Sequence, residues 1–274
     1  MSEVCKEQTT DTHLSRGEEP RHYVGNSNAV QLRNRHSLLK ALIRSATGRV
    51  RSSFCFGEIM KYIIMCGGSY PKFATPRQMI KVNGEPLVAR TIRLLRENGI
   101  EDIAISSNNP AFEQFGVPVL HHDNGYVGYE YNVCEGYWCD AFYPTDEPTT
   151  YLFGDVFFSP AAIRTIIETE TDDIMFFGSC YPFGRDYPKP WEEPFCFKVV
   201  NTDHLKAACA EVKRIDKAGG FSRKPIAWEV WNVINGNVDP NQIIKESYVH
   251  INDYTCDIDK PEEAGLVEAF ARHE

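Results

Sequence analysis

From Met60 onward, short apolar runs alternate with longer stretches whose apolar positions recur at helical spacing. Tyr62-Ile-Ile-Met-Cys66 is an uninterrupted apolar run closed by Gly67-Gly68, the form of a buried parallel strand followed by a turn. Pro86 then suits the first turn of a helix that carries Leu87, Val88, Ile92, Leu94 and Leu95 and ends at Gly99. Ile103–Ser106 and Val117–Leu120 read as the next strands. A loop rich in Tyr, Gly and Asn follows, then an aromatic helix or turn from Trp138 to Phe142 and a strand at Tyr151–Phe153. Ser159-Pro160 caps a helix to Glu168, and Ile174–Phe177 makes another strand. The second half adds a strand at Pro194–Val200, a helix from Asp203 to Lys217 and a helix after Pro225 bearing Trp228 and Trp231. It closes with a strand at Tyr248–Ile251 and a capped helix from Pro261. This alternation predicts a three-layer α/β/α fold around a mixed, mostly parallel, Rossmann-like sheet.

Residues 1–59 break the pattern. Residues 1–30 are polar and aperiodic, which predicts disorder. Between Arg33 and Arg51 lie six basic residues and no acidic one, around Leu38, Leu39, Leu42 and Ile43. Such a stretch suits either a membrane-surface or partner-binding helix or, as composition favours, a loosely ordered basic extension. The domain is therefore expected at residues 60–274, with Met60 as its natural start.

Charge sharpens this division. The whole chain stands at 29 − 38 = −9, but residues 1–59 carry nine basic against six acidic groups, leaving residues 60–274 at 20 − 32 = −12. That balance excludes a general nucleic-acid binder, which needs a basic footprint to displace counterions. An anionic substrate of the main body must be met by local cations or a metal ion. Nine cysteines without a Cys-x-x-Cys pair point to free thiols in a reducing cytoplasm. No apolar run approaches the roughly 20 residues of a transmembrane segment, and the N-terminus has no secretory pattern.

Three constellations carry candidate chemistry. The first follows the opening strand: Cys66-Gly67-Gly68-Ser69, then Lys72, then Thr75-Pro-Arg77-Gln78 and Val-Asn-Gly-Glu-Pro-Leu before the helix. Glycines let backbone N–H groups approach a phosphate, and Lys72 and Arg77 can neutralise it. Neither the Walker A ending nor G-x-G-x-x-G is present. The second is Gly154-Asp155 just past an apolar strand, where open α/β sheets place ligands, although an aspartate there also serves as a plain cap. The third is Asp257-Ile-Asp259-Lys-Pro before the last helix. Alternate residues of an extended segment face one side, so the two carboxylates can act together while Asp259 also caps the helix.

Taken together, the motifs at 62–100, 151–157 and 251–264 resemble nucleotidyltransferases that activate sugar phosphates and related alcohol phosphates, notably the choline-phosphate cytidylyltransferase type. Two departures mark a divergent branch: Cys-Gly-Gly-Ser replaces the usual Ala-Ala-Gly-x-Gly loop, and Arg77 stands for the usual lysine after proline. The resemblance implies Cys66, Gly67, Gly68, Ser69 and Gln78 at the nucleotide, with Lys72, Arg77 and Asp155 in catalysis. It implies Asp155, Asp257 and Asp259 on Mg²⁺. The reaction implied is transfer from an NTP, with CTP favoured, to a sugar 1-phosphate or an alcohol or amino-acid phosphate for surface polysaccharide synthesis. A homodimer is compatible with it.

Lys198 is a candidate for the acceptor phosphate, although an edge-strand lysine is commonly just solvated. Arg223, Trp228 and Glu229 are further acceptor candidates. The remaining aromatic residues, among them Tyr126, Tyr129, Tyr131, Tyr137, Trp138 and Trp191, could line an acceptor pocket, although residues at such spacing are core more often than pocket. His121-His122-Asp123 reads as a surface turn, because adjacent strand side chains point to opposite faces. Two other functions stay open: a glycosyltransferase of the same fold, which would want a second acidic residue beside Asp155, and a silent nucleotide-binding regulator.

Overall fold

A computed structural model describes residues 60–68, 75–123, 136–184, 187–237, 239, 242, 244–260 and 262–272. The basic extension, Ser69, Lys72, Tyr126, Tyr129 and Tyr131 lie outside the described residues. In chain order the strands are β1 (Lys61–Met65), β2 (Lys81–Val82), β3 (Glu85–Pro86), β4 (Ile103–Ser107), β5 (Val119–His121) and β6 (Thr149–Phe153). They continue with β7 (Val156–Phe157), β8 (Ile174–Gly178), β9 (Pro194–Val199), β10 (Val249–His250) and β11 (Cys256–Asp257). The helices are α1 (Leu87–Glu97), α2 (Pro160–Glu168), α3 (Thr202–Lys217), α4 (Ala227–Ile234) and α5 (Glu263–Ala271). No described helix is long and apolar enough to cross a membrane.

Seven strands form one sheet in the order β10-β8-β9-β6-β1-β4-β5. β1 lies parallel between β4 and β6, with Ile64 opposite Ile105 on one side and Leu152 on the other. β9 alone runs antiparallel, between β6 and β8. The continuous apolar runs of the central strands follow from burial on both faces: every residue of β4 and of β6 is buried.

The contacts of β9 show what covers each face. Phe197 packs on Phe176, which stacks on Trp231 and meets Trp228 edge-on, so α4 covers that side. Lys198, next along the strand, points the other way. Its ammonium donates to the carbonyls of Ile166 (3.1 Å), Ile167 (2.9 Å) and Thr169 (2.7 Å), at the C-terminal end of α2. These carbonyls lack intrahelical donors, and a cation is favoured there by the helix dipole. Two expectations are thereby corrected. β9 is an interior strand, and Lys198 caps α2 instead of meeting an acceptor phosphate.

Beside the main core, Val82, Leu87, Phe157, Cys256, Ile258, Val267 and Ala271 form a second apolar cluster. It is built around a pair too short to show a periodic pattern. β7 and β11 run antiparallel, with Val156 opposite Asp257 and Phe157 opposite Cys256, and Ile258 N donates to the Asp155 carbonyl at 3.0 Å. The Arg90 guanidinium of α1 lies 4.1 Å over the Phe157 ring and its Nε donates to the Phe158 carbonyl at 2.9 Å. This small ribbon carries the chain from Asp155 alongside the segment holding Asp257 and Asp259. A second hairpin, β2–β3, turns at Asn83-Gly84, both with positive φ, which suits the Asn-Gly pair.

Candidate active site

The carboxyl ends of β1 and β6 lie side by side, and the chain leaves them through Cys66-Gly67-Gly68 and Gly154-Asp155. Gly154 N donates to the Met65 carbonyl at 3.1 Å. A Cβ at this position would stand 2.6 Å from that carbonyl oxygen, 2.7 Å from Cys66 Sγ and 2.9 Å from Gln78 Cγ. Only glycine permits the approach, which sets Asp155 at the edge of a cavity of about 230 Å³.

Arg77, 1% exposed, lies within the acidic group. Its Nη2 pairs with Asp155 Oδ2, and its Nη1 donates to Asp259 Oδ1 at 2.7 Å and to the Ile258 carbonyl at 3.4 Å. The rigid fork of a guanidinium suits such a bridge between two carboxylates. The sequence offers Arg77 as a cation for a phosphate. The structure makes it also an internal counter-ion that joins Asp155 and Asp259, because Arg77 and Gln78 of its short 3-10 turn, Arg77–Met79, are buried, with Gln78 against Gly154.

A second buried cation, Lys189, escaped the sequence reading. Its ammonium lies 2.6 Å from Asp257 Oδ1, 2.7 Å from Glu193 Oε1, 3.1 Å from Glu263 Oε2 and 3.5 Å from Asp259 Oδ2. Glu193 escaped as well. It accepts from the Tyr187 hydroxyl (3.1 Å), Trp191 Nε1 (3.0 Å) and Asp257 N (3.1 Å). The available signal was local: Pro188-Lys-Pro-Trp-Glu-Glu-Pro194 holds a lysine between prolines and two glutamates directly before an apolar strand.

The cluster thus sets Asp155, Glu193, Asp257, Asp259 and Glu263 against Arg77 and Lys189, 2 − 5 = −3 in formal charge. Burial pushes the Asp155 carboxyl up from its ordinary pKa, with Arg77 opposing and Asp257 and Asp259 adding. Burial likewise pushes Asp257 well up, reinforced by Glu193 and Asp259 and opposed by Lys189. For Lys189 burial opposes the charge, but Asp257, Glu193 and Asp259 outweigh it and hold the ammonium above its usual range. Among the described residues the carboxylates outnumber the cations, and this crowding is part of what pushes Asp155 and Asp257 up. One oxygen each of Glu193, Asp257 and Asp259 lies within 4.8 Å of the others, an all-oxygen donor set that fits a hard divalent ion.

A family model for the MobA-like NTP transferase domain matches residues 62–219, more than half of the chain. The chain belongs to that family. It is an NTP transferase, and the match includes the glycine turn, Arg77, Asp155, Lys189 and Glu193, whereas Asp257, Asp259 and Glu263 lie beyond it. No curated protein matches it. Among solved structures, an inositol-1-phosphate CTP transferase from T. maritima overlays with TM-score 0.43 at 15% identity, covering 77% of this chain and 96% of the other. A CTP:phosphocholine cytidylyltransferase from Streptococcus pneumoniae gives 0.42 at 16%, covering 77% and 99%. A 2-C-methyl-D-erythritol 4-phosphate cytidylyltransferase from Thermus thermophilus gives 0.44 at 13%, covering 78% and 98%.

In this NTP transferase Gly67, Arg77, Gln78, Asp155, Asp257, Asp259, Arg223 and Trp228 line one cavity. Cys66 is buried at the end of β1, where burial pushes its thiol well up and away from reactivity. Trp138 and Trp191, for which the sequence leaves core and pocket open, also line the cavity. Trp138 does both, since its other contacts are with Phe142 and Phe153. Glu229 is corrected. It is 3% exposed, accepts from Ile226 N at 2.9 Å as the first-turn cap of α4, and receives Arg223 Nε at 2.7 Å. It is absent from the cavity lining, and it pairs with Arg223, whose side chain is 51% exposed.

Proposed function

We propose that this NTP transferase moves the cytidylyl group of CTP onto the phosphate of a small acceptor in a Mg²⁺-dependent reaction. An acceptor phosphate oxygen attacks the α-phosphorus, the bond to the β-phosphate oxygen breaks, and pyrophosphate leaves. The observation that carries the reading is the convergence, among the described residues, of five carboxylates on two buried cations at the carboxyl ends of β1 and β6. Asp155, Asp257, Asp259 and Glu193 would hold the ion, which when bound offsets phosphate charge. CTP is favoured by the Gly-Asp and acidic-x-Asp arrangement that the chain shares in sequence with the choline-phosphate cytidylyltransferase type.

The chain's own residues do the positioning. Gly67 and Gly68 leave the backbone open to the triphosphate, and Gln78 lines the same cavity. Arg223, aimed by Glu229, offers a positive charge to the acceptor phosphate. Holding two anions in line is most of what this chemistry needs from a protein. The remaining wall combines Trp138, Trp191 and Trp228 with Glu192 and Glu193. Indoles on this wall favour an organic cation, so within the expected acceptors an alcohol phosphate bearing an ammonium group fits better than a sugar 1-phosphate. Its activated product would serve surface polysaccharide assembly, in the cytoplasm. Val156 and Phe157 are buried and apolar, leaving no second acid beside Asp155 for a glycosyltransferase centre.

The test is pyrophosphate release by the full chain with Mg²⁺, each of four NTPs, and a panel of choline phosphate, other amino-alcohol phosphates and sugar 1-phosphates. CTP with an ammonium-bearing acceptor should be fastest. No release from any pair would sink the proposal.

A further inference from the structure

Lys189 occupies an unusual place for a buried lysine. Four carboxylates surround its ammonium, contributed by Glu193 at the foot of β9, Asp257 in β11, Asp259 beyond it and Glu263 in α5. Three of these, Glu193, Asp257 and Asp259, are the residues whose oxygens converge within 4.8 Å. The ammonium therefore sits against the same donor set that suits a divalent ion. Arg77 differs: it takes one oxygen of Asp259 together with Asp155, on the far side of the Asp259 carboxylate.

The ammonium already engages oxygens of Glu193, Asp257 and Asp259, so Lys189 and a divalent ion draw on the same donor set. Removing Lys189 frees those oxygens for a further divalent ion. We propose that Lys189 is a positioning residue that replaces one of two divalent cations. It holds Glu193, Asp257 and Asp259 convergent and confines the centre, before nucleotide binds, to a single divalent ion. The inference rests on the proposed metal-binding reading of the site. It adds that the ion count is set by a protein side chain, and that an ion can take the lysine's place.

The experiment is Mn²⁺ binding to the full chain without nucleotide, followed by electron paramagnetic resonance of the free ion. Thermal melting with and without Mn²⁺ runs alongside. Wild type should bind one Mn²⁺ per chain, and Lys189→Arg, which keeps the charge, should do the same. Lys189→Met should bind a second Mn²⁺ or bind the first at least about tenfold more tightly, since a positive charge has left the donor set. If Lys189→Met folds only when Mn²⁺ is present, the replacement is shown directly. If it binds one Mn²⁺ with wild-type or weaker affinity, or stays unfolded at millimolar Mn²⁺, the proposal is overturned and Lys189 is a structural strut. A wild type that binds no Mn²⁺ overturns the metal reading itself, which the Lys189→Met result alone does not touch.

Discussion

Lys198 and Lys189 are both buried lysines, nine positions apart, and their surroundings have opposite meanings. Lys198 spends its donors on three neutral carbonyls at the end of α2. Lys189 faces four carboxylates that it only partly offsets, and three of them, Glu193, Asp257 and Asp259, line a cavity. A buried cation matched by dipoles stabilises a helix end. A buried cation outnumbered by anions marks a place where a further cation is wanted. The difference lies in the charge of the partners, which no property of the lysine itself reveals.

The comparison can be broken most sharply at the acidic end. Asp257→Asn removes a proposed ion ligand and should lower pyrophosphate release by about 10²-fold or more, with the circular dichroism spectrum retained. Near wild-type turnover would mean that the cluster is not the reaction centre. The same test at the dipole end should give the reverse split. Lys198→Met leaves the α2 carbonyls without their donor and should cost roughly 2–4 kcal/mol of stability, read from denaturant melts. Turnover measured well below the new melting temperature should change less than about threefold, because Lys198 lies outside the cavity.

A third outcome concerns pH. Burial raises the Asp155 and Asp257 carboxyls, so protons compete with an ion at these groups more strongly as pH falls. The increase in melting temperature on adding Mg²⁺ should therefore be larger at pH 8 than at pH 5. For Lys198→Met the same difference should persist, since the mutation is remote from the cluster. The smallest effect is expected at the mouth. Arg223→Met should raise the acceptor KM by about tenfold with little change in kcat, and Glu229→Gln, which only loosens the aim of Arg223, by about threefold. Equal KM values for wild type and Arg223→Met would remove Arg223 from the acceptor site.

Much of the fold was legible because its central elements are long and periodic. The apolar run of β1, the helix face from Leu87 to Leu95 and the Ser159-Pro160 cap all appear in the structure where pattern placed them. Gly154-Asp155 and Asp257-x-Asp259 were legible for a different reason, as motifs at strand ends. What joins them was hidden: β7 and β11 are two residues each, too short for any period to show. Lys198 was misjudged because sheet order is not written along the chain, and β9 lies inside rather than at an edge. Lys189 and Glu193 were missed because their meaning comes from Asp257, Asp259 and Glu263, which are distant in sequence and reach them only through the β7–β11 ribbon and α5.

Whether this cation-poor cluster serves nucleotidyl transfer is decided by the fate of labelled nucleotide with the full chain, Mg²⁺ and choline phosphate. Label from CTP carrying ³²P at its α-phosphorus should appear in a cytidine diphosphate-linked alcohol, with one pyrophosphate released per product, and both products should vanish with Asp155→Asn. Consumption of a nucleotide-sugar with release of a nucleoside diphosphate, and no pyrophosphate from any NTP, would contradict it.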